Sequence, residues 1–247
     1  MGSVGRATRA GGLSTEEELT RDLETAEADG EKLQKFRGNA IRDGWEFEGN
    51  KWTEDWFRKN SNAYELVEQM SKGEREAFLA YTRGAFMRGQ MYRDWDDIDG
   101  IAQARIRVYD KFMDQAELKQ GIVVYRRSTF ELINEGKTRK LSVDAINARA
   151  GEIIPCRSVL SAAAAREGLS GMGGGSKPVE YEIKVPAGRG SGMWIGQDRI
   201  NGWGARQREY ALNRDANYRL DGARYDEKRG VTVVTITYLG HDKHRYS

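Results

Sequence analysis

The first half of the chain carries apolar residues at helical spacing. Between Ala63 and about Leu118, apolar side chains recur three or four positions apart, as on one face of a helix. They fall into three groups: Leu66, Val67 and Met70; Phe78, Tyr81 and Phe86; and Ile101, Ile106, Val108, Phe112 and Met113. The pattern predicts a mainly helical segment over residues 63–118.

The residues before this segment divide into an arm and a further helix. Residues 1–13 are rich in glycine and small residues, which is typical of a mobile arm. Thr15 and Glu18 then form a capping-box pattern, in which a hydroxyl and a carboxylate satisfy free amides of a helix's first turn. A helix is expected at about 15–29. Residues 1–60 are therefore predicted to be an N-terminal extension, partly helical or mobile, before a domain at 61–247.

After Gly121 the hydrophobic period changes from that of a helix to that of a strand. Ile122–Tyr125 is a short apolar run, and residues 181–185 alternate between apolar and charged. Two more strands are expected at Tyr218–Tyr225 and Val231–Leu239, joined by the polar turn DEKRG. Because helices come first and strands later, the sequence predicts an α+β fold rather than a doubly wound sheet.

Composition narrows the class of protein. The 247 residues fit one large domain with an extension, and 40 basic against 38 acidic residues leave a net charge of only +2. No bulk attraction to nucleic acid or membrane is expected from that charge. The single cysteine, Cys156, cannot form an internal disulfide, which is compatible with a reducing cytoplasm. No apolar run is long enough to span a bilayer and no signal-peptide pattern is present, so a soluble protein is expected.

Two segments contain residue types that bind metals, but neither has the residue spacing of a metal site. In RDWDDIDG, a calcium loop with Gly100 in its turn would place Ile106 at the position of the bidentate glutamate, so a solvated acidic turn is predicted. His241 and His244 lie in a polar tail without clustered acids. No metal site is predicted.

Three short elements carry side chains of complementary chemistry. Arg126 ends a predicted strand, and arginine offers a planar fork of donors that suits a pyrophosphate. Ser161 precedes the alanine-rich run Ala162–Ala165, which is predicted to be helical, and a serine hydroxyl suits holding a carboxylate in one rotamer. Glu209 stands where a glycine-rich loop meets a short strand. A carboxylate has the charge to bind a ribose hydroxyl and to stabilise an oxocarbenium-like centre as a glycosidic bond breaks, as carboxylates do in other glycosyl transfers.

Each of these residues also has a purely structural explanation. Arg126 fits a surface charge at a strand end, and Ser161 fits a helix N-cap. Glu209 fits a solvated residue of an edge strand, and Trp203 fits a core position. Taken singly, none of the three elements identifies a function.

In this order, however, the chain resembles the mono-ADP-ribosyltransferases of the Arg-Ser-Glu class, which include bacterial exoenzyme toxins and phage-encoded members. The resemblance runs over about residues 61–239 and includes VVYRR, GEIIPCRSVLSAAAA, YEIKVPAGRGSGMWIG, QREYALNRDANYRL and VTVVTITYLG. It implies a split β-sandwich core that binds NAD as co-substrate. If Arg126, Ser161 and Glu209 all had purely structural roles, their occurrence in the order of the family would be a coincidence. The functional interpretation is therefore preferred.

The resemblance implies roles for the three residues. Arg126 would hold the NAD phosphates, with a much smaller contribution from Arg127. Ser161 would stand first in the family's Ser-Thr-Ser element, and Glu209 would be the catalytic glutamate, both in contact with NAD. Two departures from the family pattern imply slow turnover: alanines replace the hydroxyl residues after Ser161, and Leu169 stands where an aromatic often packs near nicotinamide.

The resemblance implies that the residues just before Glu209 recognise the acceptor. Gln207, two positions earlier, would act in catalysis and acceptor choice, because members with glutamine there modify asparagine or glutamine, whereas members with glutamate usually modify arginine. Trp203 would be the aromatic of a target-recognition loop at 201–206, and residues 168–177 would form the loop over nicotinamide and phosphate.

The expected function is NAD-dependent transfer of ADP-ribose to a macromolecule, foremost a protein, with release of nicotinamide. The expected place is the cytoplasm of a bacterial or target host cell, reached by a phage or as an effector. Two alternatives stay open: a non-catalytic phage structural or binding protein that retains the fold, and an ADP-ribosyltransferase that acts on RNA.

Overall fold

The computed structural model describes residues 46–83, 90, 91, 93–134, 136–166, 169, 178–197, 199, 200 and 208–242. Five α-helices lie within these residues: α1 Glu46–Asn60, α2 Ala63–Gln69, α3 Lys72–Arg83, α4 Gly100–Gln115 and α5 Val143–Asn147. The strands within them are β1 Glu117–Leu118, β2 Ile122–Ser128, β3 Ile153–Cys156, β4 Leu160–Ala163, β5 Val179–Val185, β6 Gly188–Arg189, β7 Gly192–Trp194, β8 Glu209–Leu212, β9 Ala216–Asp226 and β10 Val231–His241.

The predicted helical segment is confirmed by α2, α3 and α4. The acidic turn before α4 caps that helix, because the Asp99 carboxylate accepts hydrogen bonds from the amides of Ile101 (3.0 Å) and Ala102 (3.3 Å). Within the core, the rings of Phe78 on α3 and Tyr109 on α4 pack with centroids 4.6 Å apart. In the described part of the chain, every helix is too short or too polar to cross a membrane.

The strands form a large mixed sheet. Among the described residues, eight strands are hydrogen-bonded in the order β3-β9-β10-β5-β2-β4-β8-β7. Only β10 and β5 run parallel; all other neighbours in this sheet are antiparallel. The four strands that the hydrophobic pattern placed in the second half of the chain are confirmed as β2, β5, β9 and β10, and the α+β class is confirmed with them.

The sheet is nearly divided between β2 and β4. β2 pairs with β5 over seven residue pairs, from Ile122↔Val185 to Ser128↔Val179. It pairs with β4 through Tyr125↔Ala163 alone. Beyond that pair the two strands part, which leaves five strands on one side of the join and β4, β8 and β7 on the other. The β-structure is thus split, and the split opens beside Arg126 and Ser161.

The prediction of a helix over Ala162–Ala165 is wrong. Ala162 and Ala163 belong to strand β4, all four of whose residues are buried. Alanine favours helices by only a fraction of a kcal/mol per residue, which is a weak preference that tertiary packing overrides. Here β4 lies between β2 and β8 and supplies hydrogen bonds to both, and side chains that end at Cβ fit the confined space.

Two contacts fasten the helices to the three-stranded side of the sheet. Phe57 of α1 stacks on Trp194 of β7, with ring centroids 4.4 Å apart and planes 11° apart. Asp110 of α4 forms a two-point ion pair with Arg214, which follows β8, at 2.8 and 2.7 Å. The arm at 1–13 and the helix at 15–29 lie outside the described residues, and the domain division at residue 60 stays a prediction.

The Asp110–Arg214 pair gives the first testable prediction. Both side chains are buried, so replacing Arg214 by Met removes the two-point partner of the Asp110 carboxylate in the core. We expect the free energy of unfolding, measured by urea denaturation, to fall by about 3–5 kcal/mol. Lys111→Met is the control, because its ion pair with Glu74 is exposed and contributes at most about 1 kcal/mol. Equal losses in the two variants would contradict the structural role of the buried pair.

Candidate active site

The structure brings together the three residues that the sequence singled out. Ser161 on β4 donates a hydrogen bond through Oγ to Oε1 of Glu209 on β8, at 2.5 Å. Arg126 on β2 donates through Nη1 to the backbone carbonyl oxygen of Ser161, at 2.6 Å. The neighbouring strands β2, β4 and β8 therefore each contribute one member of a continuous hydrogen-bonded chain beside the split.

The register between β4 and β8 explains the Ser161–Glu209 contact. Ser161 pairs with Ala211 and Ala163 pairs with Glu209, so the serine and the glutamate lie diagonally on the same face of the sheet. Only 7% of Ser161 and 2% of Glu209 is exposed. A hydrogen bond to an ionised group is strong, and exclusion of water strengthens it further. The serine thus holds one oxygen of a buried carboxylate in place.

The backbone around Glu209 is fixed on both sides. The amide of Ile195 donates to the Glu209 carbonyl at 3.0 Å, and the amide of Ala164 donates to the Arg208 carbonyl at 2.8 Å. Arg208 itself has φ 44°, in the left-handed region that non-glycine residues seldom adopt. Glu209 is therefore neither solvated nor on an edge strand, and that structural explanation is excluded. A strained turn immediately before a fixed carboxylate is a common feature of functional sites.

Helices α3 and α4 wall the site with aromatic rings. Tyr109 of α4 is fully buried and packs on Tyr81 of α3, with ring centroids 4.9 Å apart. Burial above all raises the pKa of Tyr109 well above its ordinary value, and the neighbouring Tyr81 and the charge of Glu209 raise it further. The Tyr109 phenol therefore stays neutral within electrostatic reach of the Glu209 carboxylate.

A position at a strand end is compatible with a free surface charge, but Arg126 is not one, because it is bonded to the Ser161 carbonyl. Because side chains alternate along a strand, it points to the face opposite Tyr125. On that face burial raises the pKa of the Tyr181 phenol, and the charge of Arg126 opposes the rise. Its bond to the Ser161 carbonyl spans the split where β2 and β4 no longer pair. Arg126 thus bridges the split and holds β4 in place.

The remaining predicted residues fall outside this arrangement. Gln207, Trp203 and residues 201–206 lie outside the described residues, as does the proposed nicotinamide loop except for Leu169. That leucine is buried in a small apolar cluster with Val123, Tyr125 and Ala163. The described ranges hold no group of three or more His, Cys, Asp or Glu arranged to bind a metal ion.

A comparison with protein-family models identifies the family. Residues 53–241 match the ADP-ribosyltransferase exoenzyme family, and the chain therefore belongs to that family. It is an ADP-ribosyltransferase, as the resemblance predicted. A search of curated proteins gave no significant match.

Solved structures show the same fold. Plx2a, an ADP-ribosyltransferase toxin from Paenibacillus larvae, has a TM-score of 0.64 at 19% identity, covering 77% of this chain and 96% of its own. C3stau2 from S. aureus, solved with NAD, has a TM-score of 0.62 at 14% identity, covering 76% and 94%. An ADP-ribosyltransferase from Clostridium botulinum has a TM-score of 0.59 at 17% identity, covering 77% and 94%. The predicted ADP-ribosyltransferase type of β-core is thereby confirmed.

The Ser161–Glu209 bond gives the second prediction. Ser161→Ala removes the donor that fixes the carboxylate, and a hydrogen bond to a charged group is worth about 1.5–3 kcal/mol. We expect kcat for ADP-ribose transfer to fall by about tenfold to hundredfold, with little change in melting temperature. Ser191→Ala is the matched control, because that buried hydroxyl contacts Tyr210 instead, at 3.1 Å. Equal kinetic losses in both variants would show that Ser161 has only a packing role.

Proposed function

We propose that this chain transfers ADP-ribose from NAD to a protein, with Glu209 as the catalytic glutamate. The observation that carries the proposal is the buried Ser161–Glu209 hydrogen bond at the split of the sheet. A purely structural protein has no need to desolvate a carboxylate and hold it with a serine, since burying a charge costs free energy. A site that stabilises developing positive charge needs a carboxylate that is shielded from water and held in one orientation.

The residues of the site divide the work of transfer. NAD supplies an ADP-ribosyl group attached to nicotinamide as the leaving group. Glu209 stabilises the positive charge that develops on the ribose as the glycosidic bond breaks. Ser161 keeps the carboxylate in one rotamer, so little reorganisation is needed during the reaction. Arg126 reaches across the split to the Ser161 carbonyl and is proposed to bind an NAD phosphate there through its remaining donors.

The charged groups of the site and their positions at the split suit NAD. A buried anion suits the cationic centre of the reaction, and a guanidinium on the neighbouring strand suits phosphate oxygens. Both meet where the sheet opens between β2 and β4. NAD is present in the solved structure of the similar C3stau2, which supports it as the co-substrate here.

The proposed acceptor is an asparagine or glutamine side chain of a protein. Gln207 carries this proposal, because an amide both donates and accepts hydrogen bonds and so orients another amide. A glutamate at that position only accepts when ionised, which suits a guanidinium. Trp203 is proposed to contact the acceptor protein.

The other interpretations are weaker. The intact Ser161–Glu209 pair favours an enzyme over a non-catalytic protein that retains the fold. RNA as acceptor has no observation in its favour. The proposed place of action is the cytoplasm of a bacterial or target host cell, in keeping with the exoenzyme family. A phage source stays a prediction.

Labelled NAD separates these interpretations directly. The full-length protein is incubated with labelled NAD and bacterial or eukaryotic lysate, and the products are treated with protease or with ribonuclease. Label that disappears with protease supports a protein acceptor. Label that disappears with ribonuclease establishes RNA instead, and absence of transfer and of NAD hydrolysis contradicts the proposed function.

The third prediction concerns Glu209. Glu209→Gln keeps the shape of the side chain and removes the charge, so folding and NAD affinity should change little. Transfer should fall by about 10²–10³-fold, because removing a preorganised electrostatic group costs about 2.7–4 kcal/mol at the transition state. Glu117→Gln, an exposed glutamate of β1, is the control. Near-normal transfer by Glu209→Gln at an unchanged melting temperature would disprove the assignment.

The fourth prediction concerns the acceptor. Gln207→Glu should lower transfer to the native acceptor while NAD hydrolysis without an acceptor changes little, because the change affects only how the acceptor is held. Mass spectrometry of the modified target identifies the residue. ADP-ribose on asparagine or glutamine is expected. ADP-ribose on arginine would refute the role of Gln207 and leave Glu209 unaffected.

A further inference from the structure

A row of four residues crosses the join between the two groups of strands, on one face of the sheet. On β2, Tyr125 pairs with Glu182 of β5 on one side and with Ala163 of β4 on the other. Ala163 pairs in turn with Glu209 of β8. Directly opposed residues of neighbouring strands point to the same side of a sheet. The row therefore begins at a carboxylate of β5 and ends at the carboxylate of the candidate active site.

Arg166 reaches across this row from one group of strands to the other. It follows the last residue of β4 by three positions, and its guanidinium lies over the ring of Tyr125, 4.7 Å from the ring centroid. The guanidinium donates through Nε to Glu180 of β5 at 2.8 Å and through Nη2 to Glu182. One side chain thus passes over β2 and fastens the end of β4 to β5, although β2 separates these two strands in the sheet.

The two carboxylates that bind Arg166 are themselves held by other arginines. Glu180 is fully buried, and Arg229, in the turn between β9 and β10, donates to both of its oxygens at 2.6 Å. Arg224 of β9 binds both oxygens of Glu182, at 2.7 and 2.9 Å. Burial raises the pKa of Glu182, but Arg224 and Arg166 outweigh burial and hold this pKa below its ordinary value. Arg166 is therefore bound to charged groups that are fixed within the larger group of strands.

At its other end, the connection leads to Glu209. Two residues before Arg166, the amide of Ala164 donates to the carbonyl of Arg208 at 2.8 Å, and Arg208 directly precedes the glutamate. A shift of the segment that follows β4 would therefore be passed to the backbone of Glu209. Ser161 lies on β4 itself and would move with it.

The join between the two groups of strands has few other bonds. Within the described residues, β2 and β4 share the single pair Tyr125↔Ala163, whereas β2 and β5 share seven pairs. Arg126 adds one hydrogen bond, to the carbonyl of Ser161. Hydrogen bonds between two charged groups are stronger than those between neutral groups, and burial strengthens them further. The bonds of Arg166 therefore form a substantial part of the connection across the join.

We propose that Arg166 is a positioning residue of the reaction, which holds β4 and β8 at the distance from β2 that places Glu209 correctly against NAD. The proposal rests on the proposed function, since it names the group that sets the geometry of the same site. Arg166 acts through the backbone of β4 and β8. A displacement of about 1 Å in a catalytic group slows a reaction by as much as about a hundredfold. The loss should appear in kcat, because Glu209 acts on the transition state.

The test compares Arg166→Gln with Arg229→Gln. Each variant removes one guanidinium from the buried Glu180, and the two arginine side chains are similarly exposed, at 24% and 28%. Arg229 lies in the same group of strands as β5, so only Arg166→Gln breaks a connection across the join. Release of labelled nicotinamide from NAD by the full-length protein, without an acceptor, gives kcat and KM. Melting temperatures report the stability of each variant.

For Arg166→Gln we expect kcat to fall by about tenfold to hundredfold, with little change in KM for NAD. Arg229→Gln should lower the melting temperature comparably and leave kcat nearly unchanged. Arg166→Lys keeps a positive charge beside Glu180 and should fold, but a single ammonium replaces the fork of donors. We expect its kcat to be intermediate.

A double variant separates positioning from general support of the fold. If Arg166 acts by placing Ser161 and Glu209, the losses of kcat in Arg166→Gln and Ser161→Ala should be less than additive in the double variant. Additive losses, a change in KM alone, or equal losses of kcat in Arg166→Gln and Arg229→Gln would overturn the positioning role. If Arg166→Gln does not fold, an unchanged kcat in Arg166→Lys would overturn it. A wild-type protein that neither hydrolyses NAD nor transfers ADP-ribose would overturn the proposed function instead.

Discussion

The single pairing of Tyr125 with Ala163 is the constraint on which the site depends. It keeps two groups of strands in one hydrogen-bonded sheet, yet it lets β2 and β4 separate immediately beyond it. Backbone that leaves a ladder needs other partners, because unpaired polar groups in the interior are costly. Arg126 supplies one by donating to the Ser161 carbonyl. The opening and the means of holding it open therefore come from the same few residues.

Two buried carboxylates on the same face of the sheet have different partners. Glu209 accepts a hydrogen bond from the neutral Ser161. Glu180, by contrast, is fully buried and pairs with Arg166 at 2.8 Å and with Arg229 at 2.6 Å. Under the proposed function the Glu209 charge acts on the cationic centre of the reaction, whereas the Glu180 charge is balanced by guanidiniums within the fold.

Much of the fold and the three central residues could be predicted from the sequence. Periodicity located the long strands because buried and half-buried residues alternate along the first part of β9 and most of β10 is buried. Residue order located Ser161 and Glu209. The helix expected over Ala162–Ala165 was wrong because β4 is defined by its neighbours rather than by its own alanines. Strand alternation places Arg126 and Arg127 on opposite faces of β2, but only the pairing of β2, β4 and β8 shows which of these faces carries Glu209.

The backbone bonds on either side of Glu209 also bear on how such an enzyme diversifies. The carbonyl of Glu209 is held by Ile195 and that of Arg208 by Ala164, so the backbone of Glu209 is positioned by the residues that directly follow β7 and β4. Residues 201–207, which precede β8 in the sequence, are not partners in these two bonds. If this segment recognises the acceptor, as proposed, its sequence can change without loss of the bonds that position Glu209. Chemistry and specificity can in this way evolve at different rates within a few neighbouring residues.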